Sequence, residues 1–284
     1  MSIELIGEDG YQSTLEVINE GQTRTYLARV KWPDGQVRDT FVKGYATNRR
    51  LVDLNNEITG YLIAKAASLT QPQHAALIRI PFDFFPAEPN EEPQDIENGW
   101  FWGWATSSYG KSQKPFFLDL KSSTHNDRDW YELIFKMLSK WNGFFPMIAF
   151  DDLVGNSDRN LGNITLVSRN KWALIDHGRI FHDTNWTQEK VDPTDPGVNK
   201  MLNMIKELHI PLPSTYSHSI VHNADNHEKM LLQIINQLTA WWGQLLKALD
   251  PAQAKLIASD LVQFLQYRAS TGTVRLTEKT GLML

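Results

Sequence analysis

The chain has 284 residues, 42% of them hydrophobic and 21% charged, with a formal net charge of −5 and no cysteine. That length suits two domains or one two-lobed domain and buries a core without staples, while the missing cysteines exclude a disulfide framework, an iron–sulfur cluster, a thiolate zinc site and a cysteine nucleophile. The acidic balance gives no global field towards nucleic acid or a membrane surface, and the opening MSIELIGEDG lacks the regions of a secretory signal, so a soluble cytoplasmic protein is expected.

The first 45 residues alternate in the manner of strands. Ser13–Ile18, Tyr26–Trp32 and Val37–Lys43 are the candidates, separated by turns at 20–24 and at Pro33-Asp34-Gly35. From Leu51 to Leu69 the period becomes helical, with Asp53 or Asn55 able to cap a late start. Strands follow at Ala76–Phe85 and Trp100–Thr106, around an acidic, proline-rich excursion at 86–98. The first ~107 residues thus spell β-β-β-α-β-β, a small mixed lobe with a mostly antiparallel sheet.

Beyond it the pattern is helical: Asp129–Trp141, Phe144–Val154, Val198–Leu208, Asn226–Leu249 and Pro251–Arg268, the last with Pro251 in its first turn. A polar loop and two short strands, Ile164–Val167 and Trp172–Ile175, interrupt the helices. The tail from Ser270 onward has little periodicity and reads as disordered or docked on a partner.

The informative stretch is Gly155-Asn156-Ser157-Asp158-Arg159-Asn160-Leu161-Gly162-Asn163-Ile164, followed by Ile175-Asp176-His177-Gly178. An Asp and an Asn five residues apart, then a hairpin, then Asp-x-Gly, matches what phosphoryl transfer requires. One carboxylate (Asp158) orients the attacking hydroxyl, while an amide oxygen (Asn163) and a second carboxylate (Asp176) hold Mg²⁺ against the phosphates. Asp151 and Asp152, just upstream, are assigned to structural hydrogen bonding. Arg159 fits equally a phosphate contact and a tie from the loop to a nearby carboxylate. His218, His222 and His227 with Asp225 lack the spacing of a metal motif and are left as ordinary polar residues.

These residues resemble the catalytic and metal loops of the phosphatidylinositol 3-/4-kinase-like superfamily, and within it the bacterial HipA-like serine/threonine kinases. The resemblance implies an α+β, bilobal protein-kinase-like fold with a small antiparallel β-rich N-lobe (1–107) and a mainly helical C-lobe (108–284). It implies ATP and Mg²⁺ as cofactors, a protein substrate and, where the protein is the toxin of a toxin–antitoxin pair, a small antitoxin or regulatory partner protein; no membrane and no direct nucleic acid are expected from the acidic charge balance. It also implies that Lys43 contacts the α- and β-phosphates, that Glu57 pairs with Lys43, and that Gly21, Gln22, Thr23 and Arg24 cover the phosphates. Ala105 and Thr106 would offer backbone groups to the adenine edge, beside Trp100, Trp102 and Trp104, at least two of which are expected in the core. Thr23 and Thr25 occupy positions of phosphorylatable hydroxyls in the family. The chain departs from the pattern at Asn160, where many relatives carry His, and is expected to be a short form without the extra N-terminal subdomain of full-length HipA proteins. A small-molecule or lipid kinase, or a nucleotide-regulated scaffold with little turnover, are the alternatives.

Overall fold

The structure is a computed structural model that describes residues 3–18, 24–45, 51–84, 99–112, 114–182, 186 and 191–282. It divides into two units, 1–58 with 72–109, and 59–71 with 110–284. The expected α+β class is what the chain adopts: a six-stranded, mostly antiparallel sheet in the first unit and a mainly helical second unit.

In the first unit the strands are β1 (Glu4–Ile6), β2 (Tyr11–Ile18), β3 (Thr25–Lys31), β4 (Val37–Gly44), β5 (Ala75–Pro81) and β6 (Trp100–Ser107). Their order is β1-β5-β6-β4-β3-β2, with β1 parallel to β5 and the remaining pairings antiparallel. The β3–β4 turn is fixed locally: Gly35 N–H donates to the Trp32 carbonyl at 2.8 Å, and Asp34 accepts from the Gln36 amide at 3.0 Å. One sheet face carries the core, in which Ala28, Val30, Val42, Ile78, Ile80, Phe101 and Ala105 pack with Tyr11 and Trp32. The indole N–H of Trp32 donates to Thr40 Oγ1 at 3.1 Å, so the buried polar atom is satisfied.

Helix α1 (Leu51–Ala66) begins in the first unit and ends in the second. Asp53 and Asn55 lie inside it rather than capping a late start. Its second-unit portion is held by α7 (His227–Leu249), where Trp242 Nε1–H donates to Thr59 Oγ1 at 2.8 Å. The second unit also contains β7 (Lys111–Ser112), α2 (Lys114–Ser122), α3 (Asp127–Leu138), α4 (Phe144–Val154), β8 (Ile164–Ser168), β9 (Lys171–Leu174), α5 (Lys200–Glu207), α6 (Ser214–Ala224), α8 (Ala254–Ser270) and α9 (Gly272–Thr280). Strands β7, β8 and β9 form a small antiparallel sheet. Pro251 sits in the turn before α8 instead of in its first helical turn.

Helix α9 corrects the reading of the tail. Arg275, Leu276 and Thr277 are buried, and the helix is fastened to Asp152 at the end of α4. The Asp152 carboxylate receives Arg275 Nη2 at 2.6 Å and Lys279 Nζ at 2.7 Å, while Arg268 donates to its main-chain carbonyl at 2.6 and 2.9 Å. Burial pushes this carboxyl up, but the surrounding Lys279, Arg268 and Arg275 outweigh it and hold the group below the usual carboxylate range.

Beside this cluster the His182 ring is wedged between two glycines in the left-handed region, Gly155 (φ +62) and Gly197 (φ +60). A Cβ on Gly197 would come within 2.2 Å of the ring and one on Gly155 within 3.0 Å, so both positions require glycine twice over. Burial, then the neighbouring Arg268, lowers the His182 pKa to about 4, and burial lowers that of His227 to about 4. Both histidines are therefore neutral when folded and take up protons more readily when unfolded. Stability is expected to be full above the ordinary histidine pKa and to fall as pH drops from ~6.5 towards ~4. Between pH 7 and 5 the loss should be about 1–2 kcal/mol per histidine, at the low end for the partly exposed His182. Urea unfolding at the two pH values checks this: His182→Gln should flatten the dependence, and an unchanged slope would contradict it.

Candidate active site

Helix α4 is the foundation of the loop that carries the Asp-Arg-Asn-Leu-Gly-Asn motif. Every residue from Met147 to Val154 is buried, so the helix has no free face and its C-terminal end is fixed. Gly155 ends it in the left-handed conformation, and the chain turns into the loop with Asn156 N–H on the Asp151 carbonyl at 2.9 Å. Asn156 then builds the next step. Its Nδ2 donates to Asp151 Oδ1 at 3.0 Å, and its Oδ1 accepts from the Asp158 amide at 2.9 Å.

Arg159 is the clasp of this region. Its side chain is 1% exposed and forks onto Asp151, with Nε 3.1 Å from Oδ2 and Nη2 3.0 Å from Oδ1. Its remaining nitrogen, Nη1, donates to the carbonyl of Ile175 at 3.0 Å and more weakly to that of Asp176 at 3.4 Å. One guanidinium thus ties the end of α4, the 156–163 loop and the 175–178 segment together. Only arginine offers a planar fork with donors to spare for this. Of the two roles open to Arg159 in the sequence, the structure takes the structural tie.

Asp158 and Asn163 are joined within the loop, because Asn163 Nδ2 donates to the Asp158 carbonyl at 2.9 Å. With that nitrogen committed, Oδ1 is the amide atom left for a cation. Ile175 N–H donates to the Asn163 carbonyl at 3.1 Å, which brings the segment carrying Asp176 alongside. Asp176 itself has φ +62, a left-handed conformation that aspartate tolerates better than most side chains, and its Oδ1 accepts from Gly178 N–H at 3.4 Å. Amide and carboxylate oxygens are hard donors of the kind Mg²⁺ selects, so the residues present fit that ion. Among the described residues no three His, Cys, Asp or Glu side chains gather as a metal-binding group. His222 Nδ1 and Asp225 Oδ2 pair at 2.9 Å on the surface, and His227 is buried.

Asn160 uses its side chain inside the loop, with Oδ1 accepting from Gly162 N–H at 2.8 Å and Nδ2 donating to the Asp158 carbonyl at 3.3 Å. A partner for Asp158 that the motif does not reveal is Lys200, the first residue of α5, whose Nζ lies 2.8 Å from Asp158 Oδ1. The sequence signal that could have found it is weak: a lysine directly after a capping asparagine, at a helix start where cations are disfavoured.

In the first unit, Lys43 near the end of β4 donates to Glu57 Oε1 of α1 at 2.5 Å. The glutamate side chain is 2% exposed and the lysine side chain 18%. Lys43 stands opposite Trp104 in the β4–β6 register, on the face away from Val42 and Ala105. Ala105 and Thr106 pair with Val42 and Phe41 on one side and with Ala76 and Ala75 on the other, so they lie inside the sheet and not in a connecting hinge. Of the three tryptophans, Trp104 alone is buried. Trp100 and Trp102 are half-buried, with the Arg79 guanidinium 4.4 and 5.5 Å from their ring centroids, which corrects the expectation of two in the core. Arg24 precedes β3, and its carbonyl accepts from Gly44 N–H at 3.1 Å; Gly21, Gln22 and Thr23 lie outside the described residues.

No protein-family model and no curated protein matches the chain. Solved structures similar to it include one titled "Structure of the open conformation of CtTel1", with TM-score 0.40 and 8% identity, and one titled "FAT and kinase domain of CtTel1", with TM-score 0.34 and 9% identity. Each match covers 93% of this chain, which spans only 12% and 22% of the respective neighbours. No helix among the described residues is long and apolar enough to cross a membrane.

Proposed function

We propose that the protein is an ATP- and Mg²⁺-dependent phosphotransferase, a HipA-like kinase acting on a serine or threonine hydroxyl of a cytoplasmic protein, in the manner of a toxin that a small antitoxin partner restrains. The observation that carries the reading is the Arg159 clasp. It is a buried fork on Asp151 whose last donor holds the backbone of Ile175 and Asp176, so that the two motif segments share one frame. A buried guanidinium needs a paired carboxylate, and this pair is placed so that it also fixes the spacing of the two motif segments.

In this reading Asp158 orients the acceptor hydroxyl and takes its proton, and Lys43, steadied by Glu57, binds the α- and β-phosphates. The Asn163 amide oxygen and the Asp176 carboxylate would hold Mg²⁺, which supplies neutralisation of phosphate charge. The loose character of phosphoryl transfer leaves the protein little covalent work, so positioning and charge dominate.

The test is transfer of ³²P from ATP·Mg²⁺ into a host-cell extract, with intact-mass measurement of the protein itself. Lys43→Met should weaken nucleotide binding by about tenfold, as expected for loss of one charge-assisted phosphate contact. It is checked by calorimetry with ADP·Mg²⁺. Nucleotide binding unaffected by this change would remove Lys43 from the site. Absence of any label in extract or protein, with ATP bound, would leave a scaffold and defeat the phosphotransferase reading.

A further inference from the structure

We infer that Lys200 is the cation that meets the transferred phosphoryl group, moving from Asp158 to the γ-phosphate when the triphosphate binds. The inference rests on the phosphotransferase reading and extends it to a residue outside the motif.

Three observations lead to it. First, the polar side chains of the loop are already engaged elsewhere. Arg159 is turned inward onto Asp151, and Asn160 is bonded to Gly162 N–H and to the Asp158 carbonyl. The cation on the Asp158 carboxylate is Lys200, 2.8 Å away. Second, the placement of Lys200 is built. Asn199 caps α5, accepting from Leu202 N–H at 3.3 Å, and its Nδ2 donates to the Ile148 carbonyl at 2.8 Å in a buried bond. Ile148 belongs to α4, the same helix whose Asp151 anchors the Asp158 loop. Lys200 and Asp158 are therefore positioned from one rigid element.

Third, fold stability gives no reason for the pair. The side chains of Lys200 and Asp158 are 45% and 48% exposed, and ion pairs so exposed contribute little. A lysine at the first position of a helix also opposes the helix dipole, and the first turn of α5 has no acidic residue to offset it. The same location favours an incoming anion, because the dipole and the ammonium both attract phosphate. The lysine stem is flexible enough to pivot from carboxylate to phosphate without moving its backbone.

In the step itself the bond from the γ-phosphorus to the ADP oxygen breaks and a bond to the acceptor oxygen forms. The hydroxyl proton passes to the Asp158 carboxylate, and ADP leaves with the bridging oxygen. Lys200 forms no covalent bond. It offsets charge on the phosphoryl oxygens, and its departure frees Asp158 to accept the hydroxyl.

The experiment compares wild type, Lys200→Met and Lys200→Arg as full chains, each first shown to melt like wild type. Affinities for ADP·Mg²⁺ and for the non-hydrolysable triphosphate AMP-PNP·Mg²⁺ are measured by calorimetry, and turnover by ³²P transfer. Lys200→Met should bind ADP as wild type does and lose about tenfold in AMP-PNP affinity, the value of one charge-assisted contact. Its kcat should fall by about 10²–10³, as for removal of a single preorganised donor, with Lys200→Arg recovering much of both. An AMP-PNP-to-ADP preference equal to that of wild type, or a rise in kcat, would overturn the role of Lys200 while leaving the phosphotransferase reading in place. Failure of wild type to bind ADP at all would defeat that reading and this inference together.

Discussion

Asp158→Asn is expected to lower phosphotransfer by about 10²–10⁴-fold, the range for loss of a positioned proton acceptor, while the fold persists. Persistence follows from geometry. The Asp158 carboxylate is half-exposed and, among the described residues, pairs with the equally exposed Lys200, and such pairs contribute about 0–1 kcal/mol. The backbone groups that shape the loop, the Asp158 amide on Asn156 Oδ1 and its carbonyl on Asn163 Nδ2, are untouched by the change. Asp176→Asn is the companion test. Asparagine also accepts the left-handed backbone at φ +62, so the substitution removes charge without adding strain. It should abolish detectable transfer and raise the Mg²⁺ concentration needed for nucleotide binding, whereas Asp158→Asn should leave that requirement where it was. Intact-mass and ³²P assays across a Mg²⁺ titration separate the two roles. Near-normal turnover in Asp158→Asn would remove Asp158 from the chemistry, and an unchanged Mg²⁺ requirement in Asp176→Asn would do the same for the metal assignment.

What the sequence revealed and what it concealed divide by the range of the interactions. The β2–β3–β4 meander was readable because alternation and the Pro33-Asp34-Gly35 turn are local signals, and α4 because it is apolar at every position except the Asp151-Asp152 pair. Strand β1 was missed: three residues carry no usable period, and the strand exists only by parallel pairing with β5 some seventy residues on. Helix α6 escaped because its sequence, STYSHSIVHNA, has no apolar stripe strong enough to announce it. The motif residues of the candidate site were legible as a pattern, and the Arg159 tie to a nearby carboxylate was one of the two roles its sequence left open, but the partner of the Asp158 carboxylate was not legible. Lys200 is forty-two positions from Asp158, and nothing near either residue advertises the other. The α9 helix was invisible for a different reason: its buried face includes Arg275 and Thr277, which a hydrophobicity pattern counts as solvent-facing.

That face underlies the largest stability effect expected in the molecule. Asp152→Ala should cost on the order of 3–5 kcal/mol, because it leaves buried cations without their counter-charge. Arg275 and Lys279 would lose carboxylate contacts of 2.6 and 2.7 Å, and Arg268 would keep its bonds to the Asp152 main-chain carbonyl but lose the neutralising charge. Burial already lowers the Arg268 pKa to about 10 and depresses that of Lys279, so this pocket strains to hold positive charge even with the carboxylate present. Of the three, Lys279 can relieve the strain most easily, since its side chain is 18% exposed and can swing to water. Such a swing would release α9 from the Pro196 carbonyl as well, because Lys279 bonds both. The reciprocal change, Lys279→Met, should cost far less, about 1 kcal/mol, since Asp152 would retain two arginines. Unfolding measurements on the two variants, with hydrogen exchange followed across 272–282, should therefore show a marked asymmetry. Asp152→Ala should lower stability globally and strip protection from α9, and Lys279→Met should do neither to the same degree. Equal and small effects would mean that α9 is held by Leu276 and its apolar neighbours alone, with the charge cluster incidental to the fold.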